Sequence, residues 1–582
     1  LTTAKHANFL AMNPKSGLKK ALSEPLLGMR TMTSFNRDTT KLSQTHYDVV
    51  IIGGGISGAW LSLHCAQQGL RTALIEKQDY ASQTSSASSK LLHGGIRYLQ
   101  QMQFGKVRES AMERAEYLYA AAHLTTAVPF VVPTYRDFQR SKFFLNCGML
   151  AYRVLTLGEN RIIGDAEHFL PPIKSISANE LNTIYDLSNE NHTGAVVFYE
   201  QHMLDSERMV LAILQSAQQY GADTFNYVSA ESYAINDAVV EGVHARDMLS
   251  DDALEIKSKL VINAAGPWID GLNASLPNAD SAPKINGFAV GSHLVTRQLC
   301  DHAIALTTKF QSDAKIDRGG RHVFVIPWRG YSLIGTSYDE TQQAEPDLTL
   351  QADHVDQLLG AVNDALPSAN LSRDDIVSGY SGLYPLRTDN IQKSVYQGSG
   401  EYQIIDHAQS NQIQGLITAL GAKYTTGRKL SALTMKLVKQ KLANDKPVTR
   451  TKLHCSQYTS LSTFIDAKVK QYEPALDAAT VRHLVTQYGS DIDAVMTRIQ
   501  SDSTLLGPIT EGQPDILGQV AWAIEREQTV TLYDMLFHRC SLGLLGIQKP
   551  AVEIVANLMR TLLDWDLSLI HISEPTRHNA SS

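Results

Sequence analysis

Apolar runs and helical patterns alternate in the first part of the chain. Residues 47–52 (YDVVII) form an apolar, β-branched run that predicts a buried strand, and a helical pattern over 59–68 follows the next glycines. A second apolar run at 71–75 ends at Glu76 and completes a strand–helix–strand unit. Residues 106–127 alternate charged and apolar positions at helical spacing, so a further helix is expected there.

The middle of the chain has the pattern of a sheet, whereas the last part has the pattern of helices. Strand-like runs that predict a mixed or antiparallel sheet recur between turn-rich segments, at 195–199, 260–264, 293–296, 322–327 and 332–336. From about residue 446, helical patterns such as 516–527 and 551–563 replace the strand signals. A separate helical domain is therefore expected at the end of the chain.

Residues 143–157 (FFLNCGMLAYRVLTL) form a dense apolar stretch that contains one arginine. The stretch is shorter than the roughly 20 apolar residues that a membrane-spanning helix requires, so any contact with a bilayer must be peripheral. A buried helix is the interpretation that we favour, and a peripheral membrane contact is the alternative.

Composition narrows the classes of protein and partner. A chain of 582 residues, 43% of them apolar, is too long for one hydrophobic core and indicates two or three domains. A formal net charge of -7 without long like-charge runs excludes nucleic acid as a partner. The five cysteines lie far apart without metal-ligand spacing, which predicts reduced, mostly buried thiols in the cytosol and no metal site.

Both ends of the chain differ from the rest in pattern. Residues 1–46 are basic, acid-poor and without clear periodicity, which indicates a non-native extension from upstream read-through or, as the alternative, a mitochondrial targeting segment. Residues 567–577 (LSLIHISEPTR) resemble a translated sequencing adapter, so 567–582 are expected to be an artefact. We therefore exclude both segments from the predicted fold.

The strongest motif is a glycine turn between the first strand and the first helix. Gly53, Gly55 and Gly58 are spaced as G-x-G-x-x-G, and Glu76 ends the second strand. Such glycines permit a tight turn and the close approach of a pyrophosphate at a helix N-terminus, and the acid accepts hydrogen bonds from ribose hydroxyls. With strand, helix and acid in register, the motif predicts a dinucleotide site, in which Ser57 is a further candidate.

The segment after Glu76 favours FAD over a nicotinamide cofactor. Its hydroxyls and backbone N–H groups can line a pyrophosphate and the polar edge of a flavin, whereas a solvated serine-rich linker would have no use for its apolar pair and its glycine turn. The candidate cofactor contacts in it are Thr84, Ser85, Ser86, Lys90, Leu91, His93, Gly94 and Gly95.

Several stretches in order resemble the FAD-dependent, quinone-linked glycerol-3-phosphate dehydrogenase family. They are GGGISG (53–58), TSSASSKLLHGGIRYL (84–99), NAAGPWID (263–270), GSHLV (291–295), FVIPW with LIGTS (324–337), GAKYTTGRKL (421–430), LGPITEG (506–512) and the stretch 520–540. The resemblance covers about residues 47 to 566.

The resemblance implies an α/β fold with a discontinuous FAD-binding, Rossmann-like domain, a mixed-sheet substrate domain and a C-terminal helical domain. An FAD-dependent oxidoreductase region is expected over 47–445, followed by the helical domain at 446–566. Within that region the implied FAD domain covers about 47–128, 196–285 and 375–445, and the implied substrate domain covers about 129–195 and 286–374.

The resemblance also implies an active site. Oxidation of a secondary alcohol by hydride transfer to a flavin requires a base and, for an anionic substrate, fixed cations. His293 would be the base, and Arg97 and Lys423 would act beside it in catalysis and in binding the substrate phosphate. Tyr98 and Arg387 are further implied substrate contacts. The implied cofactor contacts in later motifs are Ala265, Gly266, Gly421, Lys423 and Thr425.

Three positions depart from the family pattern. Val290 stands where a lysine is usual before the G-S-H motif, Tyr384 replaces an arginine in a G-x-R-P-L turn, and Gly427 replaces a tyrosine. Loss of a guanidinium is not conservative for phosphate recognition. The implied reaction is oxidation of glycerol 3-phosphate to dihydroxyacetone phosphate. The alternatives are oxidation of a 2-hydroxy acid or amine by a divergent FAD dehydrogenase or oxidase, and a non-catalytic flavoprotein.

The implied partners and location follow from the same family. A quinone would be the electron acceptor, with oxygen as the alternative, and the contact with the membrane would be peripheral. A homodimer is compatible with this interpretation. The implied location is cytoplasmic and peripheral to the inner membrane, with mitochondria as the alternative.

Overall fold

The computed structural model describes residues 37–187, 191–279, 283–285, 287–307, 322–344, 348–386, 402–421, 423–500 and 502–564. Eighteen strands are numbered here in chain order: β1 Tyr47–Ile52, β2 Thr72–Ile75, β3 Leu91–Leu92, β4 Thr125–Tyr135, β5 Lys174–Ser177, β6 His192–Met203, β7 Asp223–Phe225, β8 Val228–Asn236, β9 Val239–Asp247, β10 Ala253–Asn263, β11 Gly287–Arg297, β12 Ala303–Thr307, β13 His322–Trp328, β14 Tyr331–Gly335, β15 Asp339–Thr341, β16 Ile376–Leu386, β17 Gln403–Asp406 and β18 Leu416–Leu420.

The α-helices are numbered in the same way: α1 Thr40–Gln44, α2 Ile56–Gln67, α3 Ile96–Gln100, α4 Phe104–Ala121, α5 Lys142–Leu155, α6 Glu159–Ile163, α7 Ala178–Ile184, α8 Ser206–Gln219, α9 Ile269–Asn273, α10 Ala352–Ala365, α11 His407–Ser410, α12 Gly427–Leu442, α13 Leu461–Tyr472, α14 Ala478–Tyr488, α15 Ile492–Gln500, α16 Leu517–Glu527 and α17 Lys549–Leu563. A π-helix spans Asp534–Arg539.

The first sheet contains the predicted strand–helix–strand unit. Its strands run in the order β17-β18-β10-β1-β2-β7, with β8 and β9 attached through β10. Strands β7, β2, β1, β10 and β18 are parallel to their neighbours in this path, and β1 pairs with both β2 and β10. Helix α2 packs between this sheet and helices α8 and α12. The N-terminus of α2 therefore lies at the carboxyl end of β1, which is the place where a parallel sheet binds a dinucleotide.

The second sheet is mixed, as predicted. Its order is β15-β11-β14-β13-β12-β4-β6-β3, with β16 on β11 and β5 on β6. Most of its pairs are antiparallel, and β12 runs parallel to β4. The α/β class and the helices of the C-terminal part are thus confirmed.

Sheet membership differs from the expected domain boundaries at three strands. β3, β6 and β16 belong to the second sheet, although residues 91–92, 196–203 and 376–386 were assigned to the FAD domain. These strands belong to the second sheet because of their hydrogen-bonded neighbours. β16 pairs with β11 from Gly287 to Thr296, and β6 pairs with β4 from Thr125 to Tyr135.

The fold also includes residues before 47, contrary to the expectation. Arg37 donates to both carboxylate oxygens of Asp247 at 2.8 and 2.9 Å and to the carbonyl groups of Asn226 and Tyr227. Leu42 is fully buried under the first sheet. Residues 37–44 are therefore part of the FAD-domain packing. Most of the expected extension and the suspected adapter segment lie outside the described residues.

Most of the stretch 143–157 forms helix α5, which is buried on one side only and not on all sides as the favoured interpretation expected. Its inner side buries Leu145, Met149 and Tyr152, but its outer side is apolar and exposed. The exposed fractions on that outer side and its flanks are 71% for Phe138, 73% for Phe143, 62% for Leu150, 58% for Val154 and 66% for Leu157. These five residues are named the outer apolar patch. Among the described residues, none of the helices combines the length and apolarity that crossing a bilayer requires.

Candidate active site

A cavity of about 820 Å³ lies between the two sheets and joins most of the motifs singled out in the sequence. One end is lined by the glycine turn, Glu76, β8 and Trp268. The other end is lined by His93, Arg97, Tyr98, His293 and Lys423. The predicted residues that line it are Gly53, Gly55, Ser57, Glu76, Thr84, Ser85, Leu91, His93, Gly95, Arg97, Tyr98, Ala265, Gly266, His293, Gly421, Lys423 and Thr425.

The glycine turn leaves space in front of it for a phosphate. At two of its positions, a side chain larger than hydrogen would collide with the backbone. Gly53 has a φ of +109°, and a Cβ atom there would lie 2.6 Å from the carbonyl oxygen of Ala264. A Cβ atom on Gly58 would lie 1.8 Å from the carbonyl oxygen of Gly53, so Gly58 serves helix packing and does not line the cavity. Gly55 is the N-cap of α2 and has no side chain to occupy the position in front of the helix N-terminus.

Glu76 lies where a ribose-binding acid is expected. Its carboxylate accepts hydrogen bonds from the N–H groups of Gly54 at 2.7 Å and Gln78 at 2.9 Å. Burial raises the pKa of this carboxyl, and the two N–H donors oppose that rise. The carboxylate thus braces the glycine turn while it lines the cavity.

The serine-rich loop contributes to the cavity in part. Ser85 Oγ accepts the N–H of Ile56 at 3.0 Å and so caps the first turn of α2, and Thr84 Oγ1 donates to the carbonyl of Leu383 at 2.5 Å. Ser86 turns away and donates to the carbonyl of Gln83 at 2.8 Å.

Lys90 is a correction to the predicted cofactor contacts. Its ammonium is fully buried in an ion pair with Glu207 at 2.9 Å, 5.6 Å from the centre of the Trp328 ring. A lysine without exposed area requires such a partner, so its charge is used in the interior and does not line the cavity.

The His93-Gly94-Gly95 turn is held by a buried charge network. The N–H of Gly94 donates to Glu200 at 2.8 Å, and Arg114 pairs with Glu200 and with Glu159. A Cβ atom on Gly94 would lie 1.9 Å from the hydroxyl of Tyr152, so Gly94 is needed for packing and, contrary to the prediction, does not line the cavity. Burial lowers the pKa of His93 to about 4, with Lys423 and two arginines acting in the same direction.

His293 is buried on β11 and faces partners from three other segments. Its Nε2 lies 2.9 Å from Ser89 Oγ, and its ring stacks on Tyr380 with 5.1 Å between the ring centres. A Cβ atom on Gly335 would lie 2.1 Å from the imidazole, so that glycine permits the close approach of β14. Tyr380 in turn donates to the carbonyl of Ser88 at 2.6 Å. The imidazole is therefore fixed in orientation and lines the cavity.

Cationic side chains gather at the same end of the cavity. Lys423 Nζ donates to Ser110 Oγ at 3.2 Å and lies 4.3 Å from the centre of the Tyr98 ring. Lys106 approaches that ring to 5.6 Å, and Arg97 is exposed at the cavity wall. Burial lowers the pKa of Lys423 to about 8; Glu109 opposes the change and Lys106 adds to it. Such a group of cations around one aromatic ring suits an anionic ligand.

The residues that depart from the family pattern differ in whether they line the cavity. Val290 packs with Phe288 and Leu383 in an apolar cluster and does not line the cavity. Tyr384 does line it, so this replacement changes the cavity wall. Arg387 lies outside the described residues.

Some residues of the site were missed by sequence reasoning. Ser89 and Tyr380 hold the imidazole of His293, and Val228 and Trp268 line the end of the cavity near Glu76. Ser89 and Trp268 belong to motifs already quoted, which was an available signal. Val228 and Tyr380 carry no motif, and their roles follow from strand pairing alone.

The donor set fits an extended dinucleotide with a flavin. A glycine turn without Cβ atoms, the N-terminus of α2 and a ribose-side carboxylate lie at one end, and the His93 turn and Lys423 lie at the other. A cavity of about 820 Å³ also suits a large cofactor together with a small substrate.

Comparisons with known proteins agree with this geometry. Residues 48–439 match the family of FAD dependent oxidoreductases, and residues 439–568 match the C-terminal domain of alpha-glycerophosphate oxidase. The chain is 29% identical over 545 residues to a glycerol-3-phosphate dehydrogenase of Synechocystis, which covers 91% of this chain and 94% of that protein. It is 28% identical over 578 residues to an aerobic glycerol-3-phosphate dehydrogenase of Staphylococcus haemolyticus, covering 94% and 98%.

Two solved structures share the architecture. The glycerol-3-phosphate dehydrogenase of Bacillus halodurans, complexed with FAD, is similar with a TM-score of 0.69 and 26% identity, over 91% of this chain and 94% of that chain. The L-alpha-glycerophosphate oxidase of Mycoplasma pneumoniae, with FAD bound, has a TM-score of 0.52 and 15% identity over 70% and 98%, which is a likeness of fold alone.

Proposed function

The chain belongs to the family of FAD-dependent oxidoreductases, and from this premise we propose that it oxidises glycerol 3-phosphate to dihydroxyacetone phosphate. The observation that carries the proposal is the joining, in one cavity, of a fixed imidazole, His293, with the cations Arg97 and Lys423 beside the flavin motifs. The relatives named glycerol-3-phosphate dehydrogenase, which match over more than nine-tenths of the chain, support the same substrate.

The cations are proposed to hold the substrate phosphate. Lys423 is oriented by Ser110 and by the face of the Tyr98 ring, and Lys106 adds positive charge on the same ring. A phosphate dianion placed there would gain charge-assisted hydrogen bonds and would relieve the repulsion between the two ammonium groups. Because Tyr384 replaces an arginine, we infer that this group carries much of the phosphate recognition in this chain.

His293 is proposed to take the proton of the substrate hydroxyl. Ser89 at Nε2 and the stacked Tyr380 fix the orientation of the ring. Burial of the imidazole keeps bulk water from competing for that position. When bound, FAD supplies the two-electron acceptor for the hydrogen that leaves the substrate carbon. The residues proposed to hold it are the glycine turn, Glu76, Ser57, Thr84, Ser85, His93, Gly421 and Thr425.

The electrons are proposed to pass to a membrane quinone. The outer apolar patch supports this, because five large apolar side chains more than half exposed on and beside one helix are costly in water and suit the interface of a bilayer. Helix α5 also packs against the turn that carries His93, since Tyr152 lies at Gly94. The proposed location is therefore peripheral at a membrane surface.

An anaerobic bleaching experiment tests the proposal. The purified full chain with FAD is mixed with glycerol 3-phosphate, and the flavin absorbance near about 450 nm is followed. Rapid loss of absorbance is expected, with glycerol at least about 100-fold less effective because it lacks the dianion. The Lys423→Met variant is expected to narrow that difference.

Other outcomes would replace the proposal. Bleaching by a 2-hydroxy acid or an amine, but not by glycerol 3-phosphate, would assign the site to the alternative substrates. A flavin that stays oxidised with every donor would point to a non-catalytic flavoprotein. If the reduced protein transfers electrons to oxygen faster than to a quinone analogue in vesicles, the quinone is not its acceptor.

A further inference from the structure

We propose that the C-terminal helical region positions the cofactor, through contacts of Gln528 and Arg539 with the segment 76–81 beneath the adenosine end of the cavity. Retention of FAD would then depend on two residues that lie outside the FAD domain and do not line the cavity. The inference concerns FAD, which the family membership establishes, and it does not depend on the identity of the substrate.

The first contact is a bidentate ion pair between the Arg539 guanidinium and the buried carboxylate of Asp79. Arg539 Nη1 donates to Asp79 Oδ2 at 2.6 Å and Nη2 donates to Asp79 Oδ1 at 2.9 Å, while His538 Nδ1 lies 2.9 Å from Oδ2. Arg539 and His538 end the π-helix, a rare element that is frequent at functional positions. Arg539 also donates to the carbonyl of Glu527 at 2.8 Å, so its guanidinium direction is fixed from its own domain.

The second contact is Gln528, in the left-handed conformation at the end of α16 with a φ of +53°. Its Oε1 accepts the hydroxyl of Tyr80 at 2.9 Å, and its Nε2 donates to the carbonyl of Thr224 at 2.9 Å. Asn226 Nδ2 lies between the two contacts and donates to the carbonyl of Gln528 at 2.8 Å and to Asp79 Oδ1 at 2.9 Å. One residue of the helical region thus joins the segment after β2 to the end of β7.

The held segment is part of the cavity and of its glycine turn. Residues Glu76, Lys77 and Ala81 line the cavity, as does Val228 after β7. The N–H of Ala81 donates to the carbonyl of Gly54 at 3.1 Å, and the Tyr80 ring packs so closely on Gly54 that a Cβ atom there would lie 2.9 Å from it. A displacement of Asp79 or Tyr80 would therefore shift both the ribose-side carboxylate and the glycine turn.

The electrostatics favour a positioning role over a metal site. Asp79, Asp534 and His538 have oxygen and nitrogen atoms close enough for a metal, but Arg539 covers both oxygens of Asp79. Asp534 is also satisfied, by the hydroxyl of Tyr227 at 2.7 Å and by two backbone N–H groups. Burial alone would raise the pKa of Asp79, but Arg539 and His538 outweigh it and lower that pKa, so the carboxylate stays ionised. A buried pair of this kind is better at fixing geometry than at adding stability.

The test is the rate of FAD release from the full-length holoprotein. Each variant is diluted, and release is followed by the rise in flavin fluorescence. Arg539→Lys keeps the charge but loses the fork, and release at least about tenfold faster than in the unaltered protein is expected. The matched control is Arg329→Lys, because Arg329 pairs with Asp515 at 2.7 Å and joins the β13–β14 turn to the helical region without touching 76–81. The control is expected to release FAD within about twofold of the unaltered rate, at a similar loss in melting temperature.

Milder variants keep the test decisive if Arg539→Lys does not fold. Tyr80→Phe removes the hydroxyl bound to Gln528 but keeps the ring on Gly54. Gln528→Leu removes all three side-chain hydrogen bonds of that glutamine, to Tyr80, Thr224 and the N–H of Asn226. Faster release in both supports the proposal. Unchanged release in both variants, or equal acceleration in Arg329→Lys and Arg539→Lys, would overturn it.

Discussion

Lys423 offers the sharpest test of phosphate recognition, because its charge is lost within an accessible pH range. Burial lowers its pKa to about 8, against an ordinary lysine value of 10.5. The ammonium is present below that pKa and is lost as the pH rises through it. A phosphate ester stays dianionic over this range because its second pKa is about 6. His93 does not interfere, since burial lowers its pKa to about 4 and it is neutral throughout.

The expected magnitude follows from that pKa. If only the ammonium form binds the phosphate, KM scales with one plus the ratio of neutral to charged lysine. For a pKa of about 8, KM for glycerol 3-phosphate rises roughly 25-fold between about pH 7.5 and 9.5, with a smaller change in kcat. Lys423→Arg keeps a charge that does not titrate, so its KM is expected to be flat over the same range. Lys423→Met loses a charge-assisted contact of about 1.5–3 kcal/mol, which raises KM by roughly 10- to 150-fold at about pH 7.5, where the lysine is charged. The difference from the unaltered protein shrinks as the pH rises through the pKa, because the lysine then loses the same charge.

Steady-state kinetics with a quinone analogue at several pH values provide the assay. The unaltered protein and the arginine variant are compared in the same buffers at constant ionic strength. An equal rise of KM in both proteins would place the titrating group elsewhere. A KM that stays flat in the unaltered protein up to about pH 9.5 would refute the assignment of Lys423 to the phosphate.

Three further perturbations test other parts of the site and surface. Ser89→Ala removes the hydroxyl that lies 2.9 Å from the candidate base, so kcat is expected to fall about fivefold, whereas an unchanged kcat would assign Ser89 to structure alone. Tyr384→Arg places a cation in the cavity wall, so its KM for glycerol 3-phosphate is expected to be roughly tenfold lower than that of the control variant Tyr384→Phe. Equal KM values in the two variants would show that this position does not face the phosphate. The double variant Phe143→Ser, Leu150→Ser removes two side chains that are 73% and 62% exposed. Each would contribute about 1–2 kcal/mol to the free energy of binding to a bilayer interface. The affinity for vesicles, measured by co-sedimentation, is therefore expected to fall at least about thirtyfold. The matched control for that pair is Tyr220→Ser, 50% exposed on another surface, and equal loss in the control would exclude the outer apolar patch as the contact.

Local pattern was enough to bring the glycine turn and Glu76 together at the wall of the cavity. The strand at 47–52, the glycine turn and Glu76 lie within one strand–helix–strand unit, and a turn between a parallel strand and a helix has few solutions in backbone geometry. The α/β class, the mixed second sheet and the helical end of the chain also follow from periodicity, which depends on neighbouring residues only.

Tertiary packing decided which side chains serve the cavity. The sequence alone placed Lys90 at the cofactor, but Glu207 on α8 takes its charge in the interior. His293 meets Ser89 and Lys423 meets Ser110 across separations of 204 and 313 residues, and Asp79 meets Arg539 across 460. Neighbouring elements likewise decide two other features. No described element covers the outer apolar side of α5, and the edge of β11 is available to pair with β16. Periodicity shows which face of an element is apolar, but the partner of a buried charge or of a strand edge comes from a distant segment, and only the folded chain brings the two together.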